Sequence, residues 1–127
     1  MKMLGPINSG IAIGENNAAT SNESTSTLAV GRVIGIYLRY NDSCPAGTNI
    51  VISTAGTLPE IPSQTILSIS EDNTDGLFMP RIVPCGVDGV DLATLAIAEP
   101  VVVSDFINVL INSANSGDSI DAWFFLE

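Results

Sequence analysis

The chain contains no histidine among its 127 residues. Histidine is the commonest general base and the commonest metal ligand in proteins. Its absence also leaves Cys44 and Cys85 without the partner that usually activates a cysteine nucleophile. We therefore expect a protein without catalytic residues and without a cofactor, and not an enzyme.

Basic residues are scarce, because four Lys and Arg stand against fourteen Asp and Glu, for a net charge of −10. Proteins bind nucleic-acid phosphates and anionic lipids mainly through Lys and Arg. This composition therefore predicts neither a nucleic-acid partner nor a membrane partner. The acidity has two interpretations: solubility, which is the more ordinary one, and complementarity to a basic partner surface.

Long apolar runs are also missing, and no stretch approaches the ~20 residues that span a bilayer. The opening run MLGPINSGIAIGE is interrupted by Gly5, Pro6 and Gly10, unlike the apolar region of a signal peptide. We therefore expect synthesis in a cytoplasm, where Cys44 and Cys85 would be reduced rather than bonded to each other.

The acidic turn EDNTDG (71–76) is the one candidate for a metal site. Asp72, Asn73 and Asp75, with Asp88 or Asp91, offer oxygen ligands of the kind calcium takes. The ligand spacing of a calcium-binding loop is absent, however. Asp and Asn are common in turns because their side chains bond the local backbone. The turn interpretation is favoured, and no metal is predicted.

The chain divides into two unlike parts. Residues 16–27, NNAATSNESTST, are almost wholly polar, whereas short β-rich apolar runs follow from Leu28 onward. A segment this polar buries too little apolar area to offset its own ordering entropy. We therefore predict an extended N-terminal arm over 1–27, held in place by a partner, and a single-domain body over 28–127.

The body has the pattern of an all-β fold. In 29–40 the alternation places Val30, Ile34, Ile36, Leu38 and Tyr40 on one face, with Gly31, Val33, Gly35, Tyr37 and Arg39 on the other. Further strands are predicted over 48–54, 65–70 and 77–83, the last at a sheet edge because it contains Pro80.

Two later segments, 91–98 and 104–112, fit helical spacing nearly as well as strand spacing, and we predict strands for both. In the final run, Ile120, Ala122, Phe124 and Leu126 alternate with Asp121, Trp123, Phe125 and Glu127. Seven or eight short strands separated by turns indicate a β-sandwich or jelly roll. The aromatic residues expected in its core are Tyr40, Phe106, Phe124 and Trp123, which leaves no obvious platform for a sugar.

The body contains the turn and strand pieces YLRYN (37–41), CPAGT (44–48), NTDG (73–76) with Pro80-Arg81, and Glu99-Pro100. In these pieces it resembles capsid decoration, or cement, proteins of tailed bacteriophages, including those of cyanophages. The likeness covers about residues 28–127. Leu77-Phe78 stands where the family has a pair of large aromatic residues, and the arm lies outside the likeness.

This resemblance implies a virion protein that binds the outer surface of a capsid assembled in the host cytoplasm and stabilises that shell. Its implied partner is the major capsid protein, and a homo-oligomer, dimer or trimer, is expected on the shell. The arm would insert apolar side chains into partner grooves or add a strand to a sheet. The arm residues proposed for partner binding are Met3, Leu4, Ile7, Ile11 and Ile13; packing of these residues back on their own body is an equally weighted alternative.

Two other functions remain open. One is a tail, fibre or receptor-binding module of a virion. The other is a non-viral sandwich that binds carbohydrate or calcium, which exposed rows of aromatic residues would favour.

Overall fold

A computed structural model describes residues 1–56, 62–82 and 99–127 of the chain. These residues form eight β-strands and no helix, and hence no helix long and apolar enough to cross a membrane. The strands are β1 (Lys2–Asn8), β2 (Ala19–Tyr40), β3 (Asn49–Thr54), β4 (Thr65–Ile69), β5 (Gly76–Phe78), β6 (Arg81–Ile82), β7 (Glu99–Ala114) and β8 (Ile120–Leu126).

The strands form one antiparallel sheet in the order β1-β8-β2-β7-β3-β4. Strand β2 organises this sheet because it is long enough to change partners. Its first part, 19–33, pairs with β7, and its second part, 33–40, pairs with β8 on the opposite side. The short strand β5 also pairs with the second part of β2, and β6 pairs with β7.

One face of the sheet forms the hydrophobic core. In β8 every second residue is buried, as the alternation predicts, and Phe124 at its centre is fully inaccessible. The same alternation holds in β3 and in most of β7. The described residues are thus all-β with one buried sheet face, an architecture consistent with a β-sandwich. Each large buried side chain contributes roughly 1.5–3 kcal/mol relative to exposure.

The N-terminal segment, predicted to be an arm, belongs to the sheet in the structure. Strand β1 pairs with β8, and Ile7 enters the core with 2% of its surface exposed. After β1, the N–H of Ser9 donates to the carbonyl of Ile120 (2.9 Å), and the N–H of Ala12 donates to that of Asp118 (2.8 Å). The chain therefore binds its own first residues.

Residues 19–27 of the polar run that suggested a partner-held arm lie in the first part of β2. Its backbone pairs with β7, and Thr25 Oγ1 donates to the carbonyl of Ile107 (2.9 Å) while Ser24 Oγ donates to Asn108 Oδ1 (3.0 Å). Backbone and side-chain hydrogen bonds thus order this run, where apolar burial could not. The prediction that something outside the chain must hold residues 16–27 in place is corrected accordingly.

The predicted faces of β2 are right for its second part and wrong for its first. Ile36, Leu38 and Tyr40 are buried as predicted, but Val30 is exposed and Val33 is buried. The register shifts between Val33 and Gly35, where a β-bulge adds a residue and reverses the alternation. The bulge leaves no separate signal in the pattern, so the alternation predicts the wrong face for the first part.

The remaining strand predictions agree with the structure where it describes the residues. The runs 48–54 and 65–70 correspond to β3 and β4, and 104–112 lies within β7. The run cut by Pro80 gives β5 and β6, each with a single partner strand, as an edge requires. The predicted strand 91–98, together with Cys85, Asp88 and Asp91, lies outside the described residues.

Candidate partner-binding face

The outward side of β1, β8, β2 and β5 carries an apolar surface, which we call the outer face. It crosses the four strands in register, since Met3 pairs with Phe125, Phe125 with Gly35, and Tyr37 with both Trp123 and Leu77. The residues of the outer face are Met1, Met3, Ile34, Gly35, Tyr37, Leu77, Met79, Trp123 and Phe125.

These side chains are accessible to a partner. Met3 is 61% exposed, Leu77 55% and Met79 60%. A shallow depression of about 240 Å³ lies between Met1, Leu77, Met79 and Phe125, and its exposed lining is wholly apolar. Gly35 forms its floor: a Cβ at this position would lie 3.2 Å from Leu77 Cδ1, so glycine allows Leu77 to lie across β2.

An aromatic pair forms the other end of the outer face. The rings of Tyr37 and Trp123 lie 6.0 Å apart at 54°, within the range of favourable tilted contacts. The guanidinium of Arg39 lies 5.2 Å from the Trp123 ring centroid, a cation–π distance, and donates to Asp121 Oδ2 at 3.2 Å. Tyr37 and Arg39 thus both contact Trp123.

The arginines of this acidic chain all border the outer face. Arg39 pairs with Asp121, and Arg32 lies 3.5 Å from Glu99 and 3.6 Å from Glu127. Arg81 Nη1 donates to the carbonyl of Ile34 at 3.2 Å. Arg32 and Arg39 are thus paired with acidic side chains, and Arg81 with a backbone carbonyl.

The structure separates the five predicted partner-binding residues. Met3 lies on the outer face, whereas Leu4 packs against the core and Ile7 is buried within it. Ile11 and Ile13 are 66% and 79% exposed in the segment that follows β1. Burial removes Ile7 from any docking role, so the packing alternative holds for Ile7 and Leu4. Partner binding by Met3, Ile11 and Ile13 remains a prediction.

Two aromatic residues expected in the core are not fully buried. Tyr40 and Phe124 are buried as predicted, but Trp123 is half-buried on the outer face and Phe106 is 37% exposed opposite Leu28. The alternation in β8 already placed Trp123 and Phe125 on the face shared with Asp121 and Glu127. Because Trp123 and Phe125 share a strand face with two charged residues, the sequence already indicated that both lie on the side away from the core.

The acidic turn uses its carboxylates to support the backbone. Asp75 Oδ1 accepts from the N–H of Tyr40 (2.7 Å), and Asp72 Oδ1 accepts from the N–H of Thr74 (3.1 Å). Asp118 accepts from the N–H of Asn115 and from the hydroxyl of Ser43. Over 1–56, 62–82 and 99–127 no three acidic or cysteine side chains converge as metal ligands.

Cys44 is a free, buried thiol beside this turn. Burial, and next the charge of Asp118, raise the pKa of Cys44 to about 11. The thiolate needed for nucleophilic chemistry is therefore scarce at neutral pH. Burial also raises the pKa of Tyr40, as does the charge of Asp72.

Comparisons of the chain with models of protein families, with curated proteins and with solved structures find no match. The proposed function therefore rests on the outer face and on the contacts around it.

Proposed function

We propose that this protein is a structural component of a virion, which attaches to the outer surface of a tailed-phage capsid and stabilises the shell. The observation that carries the proposal is the outer face, an exposed apolar surface that crosses four paired strands. A cement protein needs such a surface, because burial of apolar area gives most of the stability of protein association. The resemblance of residues 28–127 to decoration proteins supports the same assignment.

The chemistry of the site favours docking over catalysis. The outer face combines aromatic and Met side chains with arginines, a composition enriched in the central part of protein interfaces. The Met residues adapt to a partner surface, whereas Tyr37 and Trp123 supply rigid contact area. Long-range electrostatic attraction to the partner would come from the net charge of the chain, −10, which favours a basic partner surface.

The test measures binding of the purified chain to undecorated tailed-phage shells over a salt series, followed by thermal melting of the shells. We expect binding that raises the melting temperature of the shell. Rising salt should weaken the electrostatic attraction but leave the apolar share of the affinity. If the chain binds no shell at any salt concentration, the proposal is wrong.

A second function, carbohydrate binding, is favoured by the Tyr37–Trp123 pair, because sugars stack on such rings and bond to neighbouring polar groups such as Arg39 and Asp121. Trp123 is the single tryptophan of the chain, so its fluorescence reports directly on this site. Titration with soluble oligosaccharides distinguishes the two functions. A saturable change in Trp123 fluorescence that Tyr37→Ala abolishes, with Trp123 retained as the reporter, would favour the carbohydrate function.

A further inference from the structure

All three methionines of the chain lie on the outer face. Met1 is 89% exposed, Met3 61% and Met79 60%. Met1 and Met79 line the apolar depression, and Met3 lies beside the aromatic pair at the other end. The hydrophobic core of the described residues contains no methionine. A chemical change confined to methionine would therefore alter the outer face and leave the core intact.

Methionine is a side chain that a mild two-electron oxidant such as hydrogen peroxide changes. The thioether sulfur attacks one peroxide oxygen, so that an S–O bond forms and the O–O bond breaks. The displaced hydroxide takes the proton of the transferred hydroxyl and leaves as water. Sulfur is oxidised by two electrons, and the peroxide is reduced by the same two. The product, methionine sulfoxide, is polar where the thioether was apolar.

The cysteine of the described residues competes poorly for such an oxidant. Cys44 is only 4% exposed, and burial, followed by the charge of Asp118, raises the pKa of its thiol to about 11. The thiolate is the form of cysteine that attacks a peroxide, and little of it exists at neutral pH. Exposure therefore makes the methionines of the outer face the first sites of oxidation in this part of the chain.

The apolar depression is where a sulfoxide would matter most. Its exposed lining is wholly apolar, and Met1 and Met79 form it together with Leu77 and Phe125. A Cβ at Gly35 would lie 3.8 Å from Met79 Cγ, so the Met79 side chain lies over the floor of the depression. A sulfoxide oxygen there loses its hydration when a partner docks, and an apolar partner surface offers no donor in return. Oxidation would therefore weaken docking.

We propose that the outer face is a reversible oxidation site, at which a peroxide converts Met1, Met3 and Met79 to sulfoxides and thereby switches off apolar docking. Methionine sulfoxide reductases, one for each sulfoxide epimer, would restore the thioethers and the docking. The effect on shell binding rests on the proposed function. The reaction itself rests only on the exposure and the location of the three sulfur atoms.

The first measurement maps oxidation in the full-length protein treated with hydrogen peroxide at neutral pH. Peptide mass spectrometry should find one added oxygen atom at each methionine before any at Cys44. The midpoint of urea denaturation should stay unchanged, because the core of the described residues contains no methionine. Oxidation of Cys44 ahead of the methionines, or a large loss of stability once the methionines are oxidised, would overturn the proposal.

The second measurement compares apolar docking before and after oxidation. Retention on a hydrophobic-interaction column should fall, binding to undecorated shells should weaken at least tenfold, and treatment with sulfoxide reductases should restore both. Unchanged retention and unchanged shell binding after full oxidation would overturn the proposal. If the untreated protein binds no shell, the proposed function fails, and column retention alone then decides whether oxidation removes the apolar character of the outer face.

The double variant Met3→Leu, Met79→Leu is the matched control, because leucine has nearly the volume of methionine and carries no sulfur to oxidise. Before treatment it should be retained on the column and bind shells like the wild type. After peroxide it should keep at least half of its retention and affinity, and the remaining loss measures the share of Met1. If peroxide weakens the double variant as much as the wild type, the oxidation site lies elsewhere and the proposal fails.

Discussion

Phe124 and Phe125 are consecutive in β8, yet their side chains lie on opposite faces of the sheet. Phe124 is fully buried in the core, whereas Phe125 is half-buried on the outer face, opposite Met3. Two residues of the same type thus serve two purposes, one in folding and one in the proposed docking. Substituting each phenylalanine in turn therefore measures the contribution to folding and the contribution to docking separately.

Phe124→Ala should cost about 3–5 kcal/mol of unfolding free energy, because it removes a buried ring and leaves a cavity. Phe125→Ala should cost less than about 1 kcal/mol, since solvent already reaches the ring. Urea denaturation of both variants measures the difference. Equal losses would show that the outer face is itself part of the core.

Ile7→Ala should cost about 2–4 kcal/mol, because Ile7 is buried in the core cluster through β1. Ile11→Ala is the matched control, and it should change the stability by no more than ~0.5 kcal/mol because Ile11 is exposed. The free energy of unfolding of the isolated protein decides between an integrated segment and a free arm. If Ile7→Ala leaves the free energy of unfolding unchanged, the N-terminal segment is a free arm, as the sequence predicts.

Stability should fall in alkaline solution because of Cys44. The folded state raises the pKa of this thiol from 9.0 to about 11, so the unfolded chain releases the proton first. The stabilising contribution is therefore complete below pH 9 and is lost as the pH rises through about 11. Urea denaturation from pH 7 to 11 should show a shallower decline for Cys44→Ala than for wild type. Parallel declines would contradict this assignment.

Tyr40→Phe should stabilise the protein by about 1 kcal/mol, because the buried hydroxyl of Tyr40 has no hydrogen-bond partner among the described residues. The ring and its packing are retained in the variant. A midpoint of urea denaturation that moves to higher concentration supports this reading. A loss of stability would show that the hydroxyl does have a partner.

Much of the fold is predictable from local patterns. The alternation in β8 and the proline at 80 each have one structural consequence, and both predictions agree with the structure. Failures occurred where pairing between distant residues decides the outcome. The polar run of β2 becomes a strand because β7 lies beside it, and the bulge near Gly35 is set by its pairing with β8.

The candidate site was less predictable than the fold. Its residues come from β1, β2, β5 and β8, and only the sheet order brings them together. The aromatic residues of β8 carried a usable signal, because Trp123 and Phe125 alternate with the core residues. Leu77 and Met79 carried no such signal, because nothing in a short run that ends at a proline indicates that Leu77 pairs with Tyr37.

The central claim is that the proposed attachment to a shell comes mainly from the outer face, with little contribution from the exposed isoleucines after β1. Co-sedimentation with undecorated shells at fixed salt compares wild type, Phe125→Ser and Ile13→Ser, with the melting temperature of each free variant as a folding control. The account predicts that Phe125→Ser weakens binding at least tenfold, while Ile13→Ser binds like wild type. Loss of binding with Ile13→Ser but not with Phe125→Ser would contradict it.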